Sequence, residues 1–367
     1  MAGFSATEHA MMARALRLAE RGLFTTQPNP RVGCVIAHGE EIIGEGWHMR
    51  AGEPHAEVFA LRAAGIRARG ATAYVTLEPC VHYGRTPPCA DALVEAGIAR
   101  VVAACEDPNP KTGGNGLRRL RDAGIEVASG LMCDAARELN RGFLSRMERG
   151  RPWVRIKLAM SLDGRTALAN GESKWITGEA ARADVQRWRA RSSAILTASG
   201  TARADDPRLT VRSSVSVEGF KPLRVVLDRR LDSLPAGAHL LDGGAPTLVL
   251  HAPDAQPSDG RYAQTELAAV ELDSNGKLDL HAVMRLLAQK QVNELQVEAG
   301  PRLCGALFEA RLMDELLLYV APVLLGDSAR PLLALSSLNS MAQRHDLRVI
   351  DQRPVGNDIR LLLRSAT

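Results

Sequence analysis

The sequence predicts two α/β domains in tandem, each a largely parallel or mixed sheet covered by helices on both faces. Three observations carry this. Strand-like and helix-like stretches alternate along most of the chain, the pattern of a sheet whose crossovers are helices. A length of 367 residues suits two or three cores rather than one. Between two such alternating series, Met147-Glu148-Arg149-Gly150-Arg151-Pro152 is polar and rich in breakers and reads as a linker. The expected domains are residues 1–148 and 152–367.

In order, Ser5-Ala6-Thr7-Glu8 is a capping box that opens a helix. Met11, Ala15, Leu18 and Ala19 form its apolar stripe, Arg14, Arg17 and Arg21 its wet face, and Gly22 its stop. Val32 to Ile36 and Glu41 to Trp47 read as strands joined near Gly39, and Pro54 suits the first turn of a helix running through Val58, Leu61 and Arg62. Ala71 to Leu77 and Ala99 to Ala104 are strands, with Asp91 to Ala96 helical between them; Asn115 to Ala123 and Ile125 to Ala128 add one helix and one strand. In the second series, strands are expected at Trp153 to Ala159, Ala194 to Thr197, Leu223 to Leu227, Thr247 to His251, Glu294 to Val297 and Glu315 to Val320. Helices are expected at Glu179 to Arg191, which Thr177 can cap, at Leu280 to Gln289 and at Arg302 to Ala310. Thr197 to Arg212, Ser213 to Gly219 and Pro253 to Gly260 read as loops, and Leu347 to Ile350 with Asp358 to Leu363 as an antiparallel pair.

Composition narrows the function classes. A formal charge of +4 spread along the chain, with 4% aromatic residues, gives little for counterion release or base stacking, so neither nucleic acid nor a membrane surface is expected as partner. No stretch reaches bilayer-spanning length and Met1 to Gly22 has no secretory pattern. A cytoplasmic enzyme is expected, with the six cysteines held as thiols and a homo-oligomer as its form.

His55-Ala56-Glu57, Pro79-Cys80 and Cys89 are the chemical core of the first half. A lone His or a Cys pair is usually core filler. Together, however, one imidazole and two thiolates make a zinc site with a fourth position for water. Glu57 need not bind the metal and can carry the water proton. The set His-x-Glu, Pro-Cys and a second Cys is the signature of zinc nucleobase deaminases. The usual spacing of that class is two residues between the cysteines, whereas here Val81 to Pro88 intervene. His82 and Arg85 in that insert read either as a solvated loop or as a clamp for an anionic substrate such as a phosphate.

At these residues the chain resembles a known family. Thr76-Leu77-Glu78-Pro79-Cys80 with Gly84-Arg85-Thr86-Pro87-Pro88-Cys89 is similar to the deaminase half of the bifunctional riboflavin-biosynthesis deaminase/reductases. Pro28 to Ile36, Gly46-Trp47-His48 and Asp107-Pro108-Asn109-Pro110 match further blocks. The resemblance implies a cytidine-deaminase-like three-layer α/β/α domain in which Asn29, His48 and Asn109 lie near the substrate.

In the second half, Lys157 sits in a strand that looks buried, where an amine is costly unless paired or functional. Arg189 and Arg212 suit either a phosphate grip or the surface. Val297-Glu298-Ala299-Gly300-Pro301-Arg302-Leu303-Cys304-Gly305 places glycines between a strand and a helix, where backbone amides attract a diphosphate. The same resemblance implies a dihydrofolate-reductase-like α/β domain using NADPH. It puts Ala159, Trp175, Thr201, Asp205 and Gly300, Pro301, Arg302, Leu303, Cys304, Gly305 and Ala306 along the cofactor. Ser173, Arg189, Leu209, Arg212 and Glu298 are then at the substrate. Arg229 departs from the small hydroxyl residue common there and is a candidate for the 2′-phosphate of NADPH.

The expected activity is zinc-dependent deamination of a phosphorylated diaminopyrimidinone, with Glu57 moving protons. NADPH-dependent reduction of the ribosyl group to ribityl follows, with Lys157 and Glu298 assisting sugar opening. Two rivals stand beside this: a tRNA or DNA deaminase carrying an unrelated C-terminal domain, and a structural zinc module with four protein ligands.

Overall fold

A computed structural model of the chain describes residues 3–81, 88–110, 112–212 and 220–366. The chain divides into two compact units, Met1–Gly150 and Arg151–Thr367.

The first unit runs α1 (Ala6–Glu20), β1 (Gly33–His38), β2 (Glu41–Trp47), α2 (Ala56–Ala64), β3 (Thr72–Val75), α3 (Cys89–Glu95), β4 (Arg100–Ala103), α4 (Asn115–Asp122), β5 (Glu126–Ser129), α5 (Cys133–Leu139) and α6 (Arg141–Arg149). Its sheet has the order β2-β1-β3-β4-β5, antiparallel at β2-β1-β3 and parallel from β3 to β5. Side chains alternate across β1 as strand geometry demands. Cys34 and Ile36 join α2, α3 and α4 residues on one face; Val35 and Ala37 join α1 and α6 residues on the other. The result is three layers, helix on sheet on helix. The Ser5 capping box forms in both directions.

Here the sequence reading needs three corrections. Pro54 precedes the helix, and His55 is its N-cap with extended backbone rather than a residue of the first turn. The supposed linker is helical as far as Arg149, with Gly150 as left-handed cap, so only the last residues of that segment connect the units. Helices α5 and α6 were not expected. In α6 the run Arg141 to Ser145 is buried residue after residue, although Gly142 and Ser145 are weak helix formers.

The second unit contains β6 (Trp153–Ser161), β7 (Arg165–Ala167), α7 (Glu179–Arg191), β8 (Ala194–Ala198), α8 (Ser199–Asp205), β9 (Leu223–Leu227), β10 (Thr247–His251), β11 (Glu266–Ala269), α9 (Leu280–Gln289), β12 (Glu294–Val297), α10 (Pro301–Glu309), β13 (Glu315–Ala321), β14 (Arg330–Pro331), β15 (Leu347–Val355) and β16 (Asp358–Ser365). Nine strands form one sheet, β11-β10-β9-β8-β12-β6-β13-β16-β15, parallel except for the β13-β16-β15 end. Again the reading is corrected in places. Thr177 does not cap α7: Gly178 holds that position without a side-chain cap, and the Thr177 carbonyl accepts from Arg182 instead. The stretch taken as one loop after Thr197 contains α8. The Ser213 to Gly219 loop lies outside the described residues.

At the central strands β6 and β12 the two faces of this sheet differ, although the second face is apolar on either side of them. Val154, Ile156 and Leu158 of β6, with Leu295 and Val297 of β12, look into an apolar core with α9 and α10. Their alternate neighbours are polar: Arg155 is wholly buried between Glu315 (2.6 Å) and Glu294 (3.1 Å), with Trp188 of α7 stacked on its guanidinium. A buried cation needs such partners, because an unpaired one would be strongly destabilising. The same polar face, one turn of the pleat further on, holds Lys157 and Glu298.

Candidate active sites

In the first unit, two glycines of β2 set the position of α2. A Cβ on Gly44 would lie 2.3 Å from the Ala60 carbonyl oxygen, and one on Gly46 2.2 Å from that of Ala56. The helix therefore lies against bare backbone, which fixes where its N-terminus points. From that end come His55 and, in the first turn, buried Glu57. Cys89 begins α3, and its backbone N–H donates to the Cys80 sulfur at 3.4 Å.

These elements bring the expected ligands together. His55 Nδ1 lies 3.2 Å from Cys89 Sγ and 3.5 Å from Cys80 Sγ, and the three ligand atoms all fall within 4.8 Å of one another. The donor set fits zinc: two sulfurs and one imidazole nitrogen converge from three different segments. The Cys80 thiol is drawn down to about 4 by hydrogen bonding from Cys89 and His55; its thiolate in turn pushes the Cys89 thiol up. The hydrogen bond to Cys80 also raises His55. Burial raises Glu57 to about 7, against the pull of His55; a dication on the ligand set would act in the same sense as His55.

Beside the ligands sits a second polar pair. His48 packs edge-on against His55, ring centroids 5.3 Å apart. Burial lowers the His48 pKa, favouring the neutral ring. Its Nδ1–H donates to the Pro54 carbonyl at 3.1 Å, which leaves Nε2 to accept from Asn29 Nδ2 at 3.1 Å. The Asn29 amide is thereby oriented, with its oxygen as the remaining acceptor. Asn109 is half-buried in a turn in which its carbonyl accepts from the Thr112 and Gly113 amides. His82 and Arg85 lie outside the described residues.

In the second unit, Glu298 follows β12 directly. Arg189 of α7 grips it in two parallel bonds of 2.7 and 2.8 Å, and Gln296 adds a third of 2.8 Å. Burial alone would raise the Glu298 carboxyl, yet Arg189, Lys157 and Gln296 hold it at about 2. Lys157 feels the reverse: burial and Arg189 lower its pKa, and Glu298 opposes them. So Lys157, Glu298 and Arg189, which the resemblance assigned to sugar opening and to the substrate, interact with one another in the structure. Gln296 was missed, although polar residues at Glu294, Gln296 and Glu298 in an otherwise apolar strand were visible in the alternation.

The cofactor candidates cluster less tightly. Gly300 is the N-cap of α10, which has no side-chain cap, and its amide donates to Thr201 Oγ1 of α8 at 3.2 Å. An uncapped helix start beside a hydroxyl fits a diphosphate. Within α10, Cys304 and Gly305 are buried, while Arg302 and Ala306 are exposed and Leu303 half-buried. Ala159 on β6 is half-buried, and so is Ser173 in the chain between β7 and α7. Trp175 is exposed with the Arg182 guanidinium stacked on it at 4.6 Å; Asp205, at the end of α8, is exposed. Leu209 is buried at positive φ, and the Arg212 amide donates to Gln186 at 2.9 Å.

Comparison with known proteins identifies both halves of the chain. Residues 5–105 match the cytidine and deoxycytidylate deaminase zinc-binding region, and residues 152–361 match the RibD C-terminal domain. The riboflavin biosynthesis protein RibD of Escherichia coli is 51% identical over 96% of this chain and 98% of its own length. The chain belongs to the RibD family. The Haemophilus influenzae RibD is 48% identical over 98% of each chain. Among solved structures, Acinetobacter baumannii RibD superposes with a TM-score of 0.90 at 47% identity, covering 98% of this chain and 99% of that one. The diaminohydroxyphosphoribosylaminopyrimidine deaminase/5-amino-6-(5-phosphoribosylamino)uracil reductase of Thermotoga maritima does so at 0.86 and 31%, with the same coverage. The RibD-family match across the second half does not favour the rival, a tRNA or DNA deaminase with an unrelated C-terminal domain. Among the described residues, no helix is long and apolar enough to cross a membrane.

Proposed function

We propose that the first unit hydrolyses an amino group from 2,5-diamino-6-ribosylamino-4(3H)-pyrimidinone 5′-phosphate, and that the second reduces the ribosyl group of the product to ribityl with NADPH. The observation that carries this is one chain holding both the His55/Cys80/Cys89 set beside buried Glu57 and the Lys157/Glu298/Arg189 group.

Zinc, held by His55, Cys80 and Cys89, would supply a water whose pKa lies near about 7. Glu57 takes a proton from the attacking water and gives it to the pyrimidine ring nitrogen, then carries the second proton, from the new hydroxyl, to the departing amine. The C–O bond forms, the C–N bond breaks and ammonia leaves. Asn29, oriented by His48, offers its amide oxygen to the amino-bearing edge of the ring, and Asn109 contacts the same substrate. His82 and Arg85 are assigned to the phosphate.

NADPH, when bound along Thr201 and the start of α10, would supply the hydride for C1′. Glu298 is held anionic by Arg189 and Gln296, so it stabilises positive charge rather than donating a proton. The Lys157 ammonium beside it is the donor, protonating the ribose ring oxygen as the sugar opens.

The test is to supply the phosphorylated diaminopyrimidinone and follow ammonia and NADPH absorbance together. Ammonia without NADPH oxidation would remove the second assignment. Stripping the metal with a chelator should stop ammonia release yet leave reduction of the deaminated intermediate intact; loss of both would refute separate sites. Arg229, exposed just beyond β9, is assigned to the 2′-phosphate. Arg229→Ala should raise KM for NADPH about tenfold and leave KM for NADH unchanged, whereas equal effects on the two would discard that contact.

A further inference from the structure

The deamination scheme uses Glu57 and leaves a second buried carboxylate of the first unit without a role. Glu78 stands two residues before Cys80 and is 4% exposed. Its Oε2 accepts from the Asp107 and Gly114 amides at 3.0 and 2.9 Å. Its Oε1 accepts from those of Gly116 and Leu117 at 2.7 and 3.1 Å. All four partners are backbone donors, and all lie in the segment that carries Asn109.

We propose that Glu78 is a positioning residue of the deaminase site, locking the Asn109 segment to the strand end that carries Cys80. It rests on the reading of Asn109 as a substrate contact.

Two details distinguish this from ordinary helix capping. The N-cap of α4 is Gly114, in the left-handed region and without a side-chain cap, so the helix takes its cap from Glu78, far away in sequence, instead of from a local Ser or Asp. The helix start is also pressed onto the chain leading to the ligand: a Cβ on Gly116 would sit 2.0 Å from the Pro79 carbonyl oxygen. From Asp107 the constraint passes on, because its Oδ1 accepts from the Asn109 amide at 2.9 Å. Glu78 itself is tied to the sheet side by its amide, which donates to the Cys105 carbonyl at 3.0 Å. One side chain thus couples β3, the approach to Cys80, the Asp107–Asn109 turn and α4.

Glu78→Gln keeps the shape but turns one oxygen into an NH2 group facing backbone N–H donors. Two bonds are lost and the Asn109 turn is released. In the full-length protein, KM for the phosphorylated diaminopyrimidinone should rise about tenfold or more, as misplacement of a binding group does, with zinc content and the kcat of ammonia release within about threefold. The double variant Glu78→Gln/Asn109→Ala should be no worse than Asn109→Ala alone, since both changes act on one contact. An unchanged KM in Glu78→Gln, when Asn109→Ala raises it, would overturn the proposal alone. So would additivity in the double variant, or loss of zinc and melting of the unit together, which would make Glu78 a stability group. An unchanged KM in Asn109→Ala would instead remove the substrate reading of Asn109, and this proposal with it.

Discussion

Replacing Glu57 by Gln should lower ammonia release by about 10²–10⁴-fold, the range that a positioned general acid–base contributes, while the protein keeps its zinc. The two outcomes separate because Glu57 is not among the converging ligand atoms, which come from His55, Cys80 and Cys89. Glu57 lies in the first turn of α2, buried against the sheet, so the isosteric amide leaves packing alone and removes only the proton carrier. Reduction of the deaminated intermediate, served by the other unit, should proceed unchanged. Metal content by mass spectrometry and ammonia release on the same preparation decide the matter. A fully active Gln variant would return the structural zinc module to favour, and loss of zinc would mean that Glu57 belongs to the metal's own shell. Cys80→Ala should behave differently, losing metal and ammonia release together.

Why Glu57 could be named from sequence, and other residues not, comes down to range. His55 and Glu57 share one helix start, and Pro79-Cys80 and Cys89 flank one short insert, so the chemistry is written in nearby letters. Strands such as Leu223 to Leu227, and the α7 and α9 helices, are likewise local, and their expected limits coincide with those found. The partnership of Arg189 with Glu298 is not local: 109 residues separate the two, and only the parallel crossover of the sheet brings them together. The resemblance put both at the substrate without pairing them, and spacing left surface exposure open for Arg189. Helix α8 was hidden for a related reason. At seven residues, with Gly200 inside it and no side-chain cap, Ser199–Asp205 is too short to be stable by itself; buried Ala202 and the bond from Gly300 to Thr201 hold it as a helix from outside. Thr177 misled in the opposite direction, since a good capping residue stood one position too early.

Glu298→Gln should slow NADPH oxidation by about 10²-fold or more and move the basic limb of its pH profile to lower pH. The sign follows from the charges around Lys157. Burial and the Arg189 guanidinium both depress the Lys157 ammonium, and Glu298 is what opposes them. Glu298 itself, held at about 2, stays anionic at any pH where the enzyme is assayed. Removing its charge takes away the larger of the two charge effects that support the ammonium, leaving Cys304 against repulsion and desolvation, so the ammonium is lost at a lower pH and proton donation fails earlier as pH rises. The same substitution removes the charge partner of Arg189, whose guanidinium, about 10% exposed, is left with the Thr210 carbonyl and a neutral amide. Breaking a buried pair from one side costs about 3–5 kcal/mol, so the second unit should melt earlier than in the parent while ammonia release persists. Lys157→Met supplies the control: it should abolish NADPH oxidation without the loss of stability, because Glu298 keeps Arg189 and Gln296. A Glu298→Gln profile that loses rate but keeps its basic limb in place would detach Lys157 from the proton transfer, leaving Glu298 as an anchor for Arg189 and nothing more.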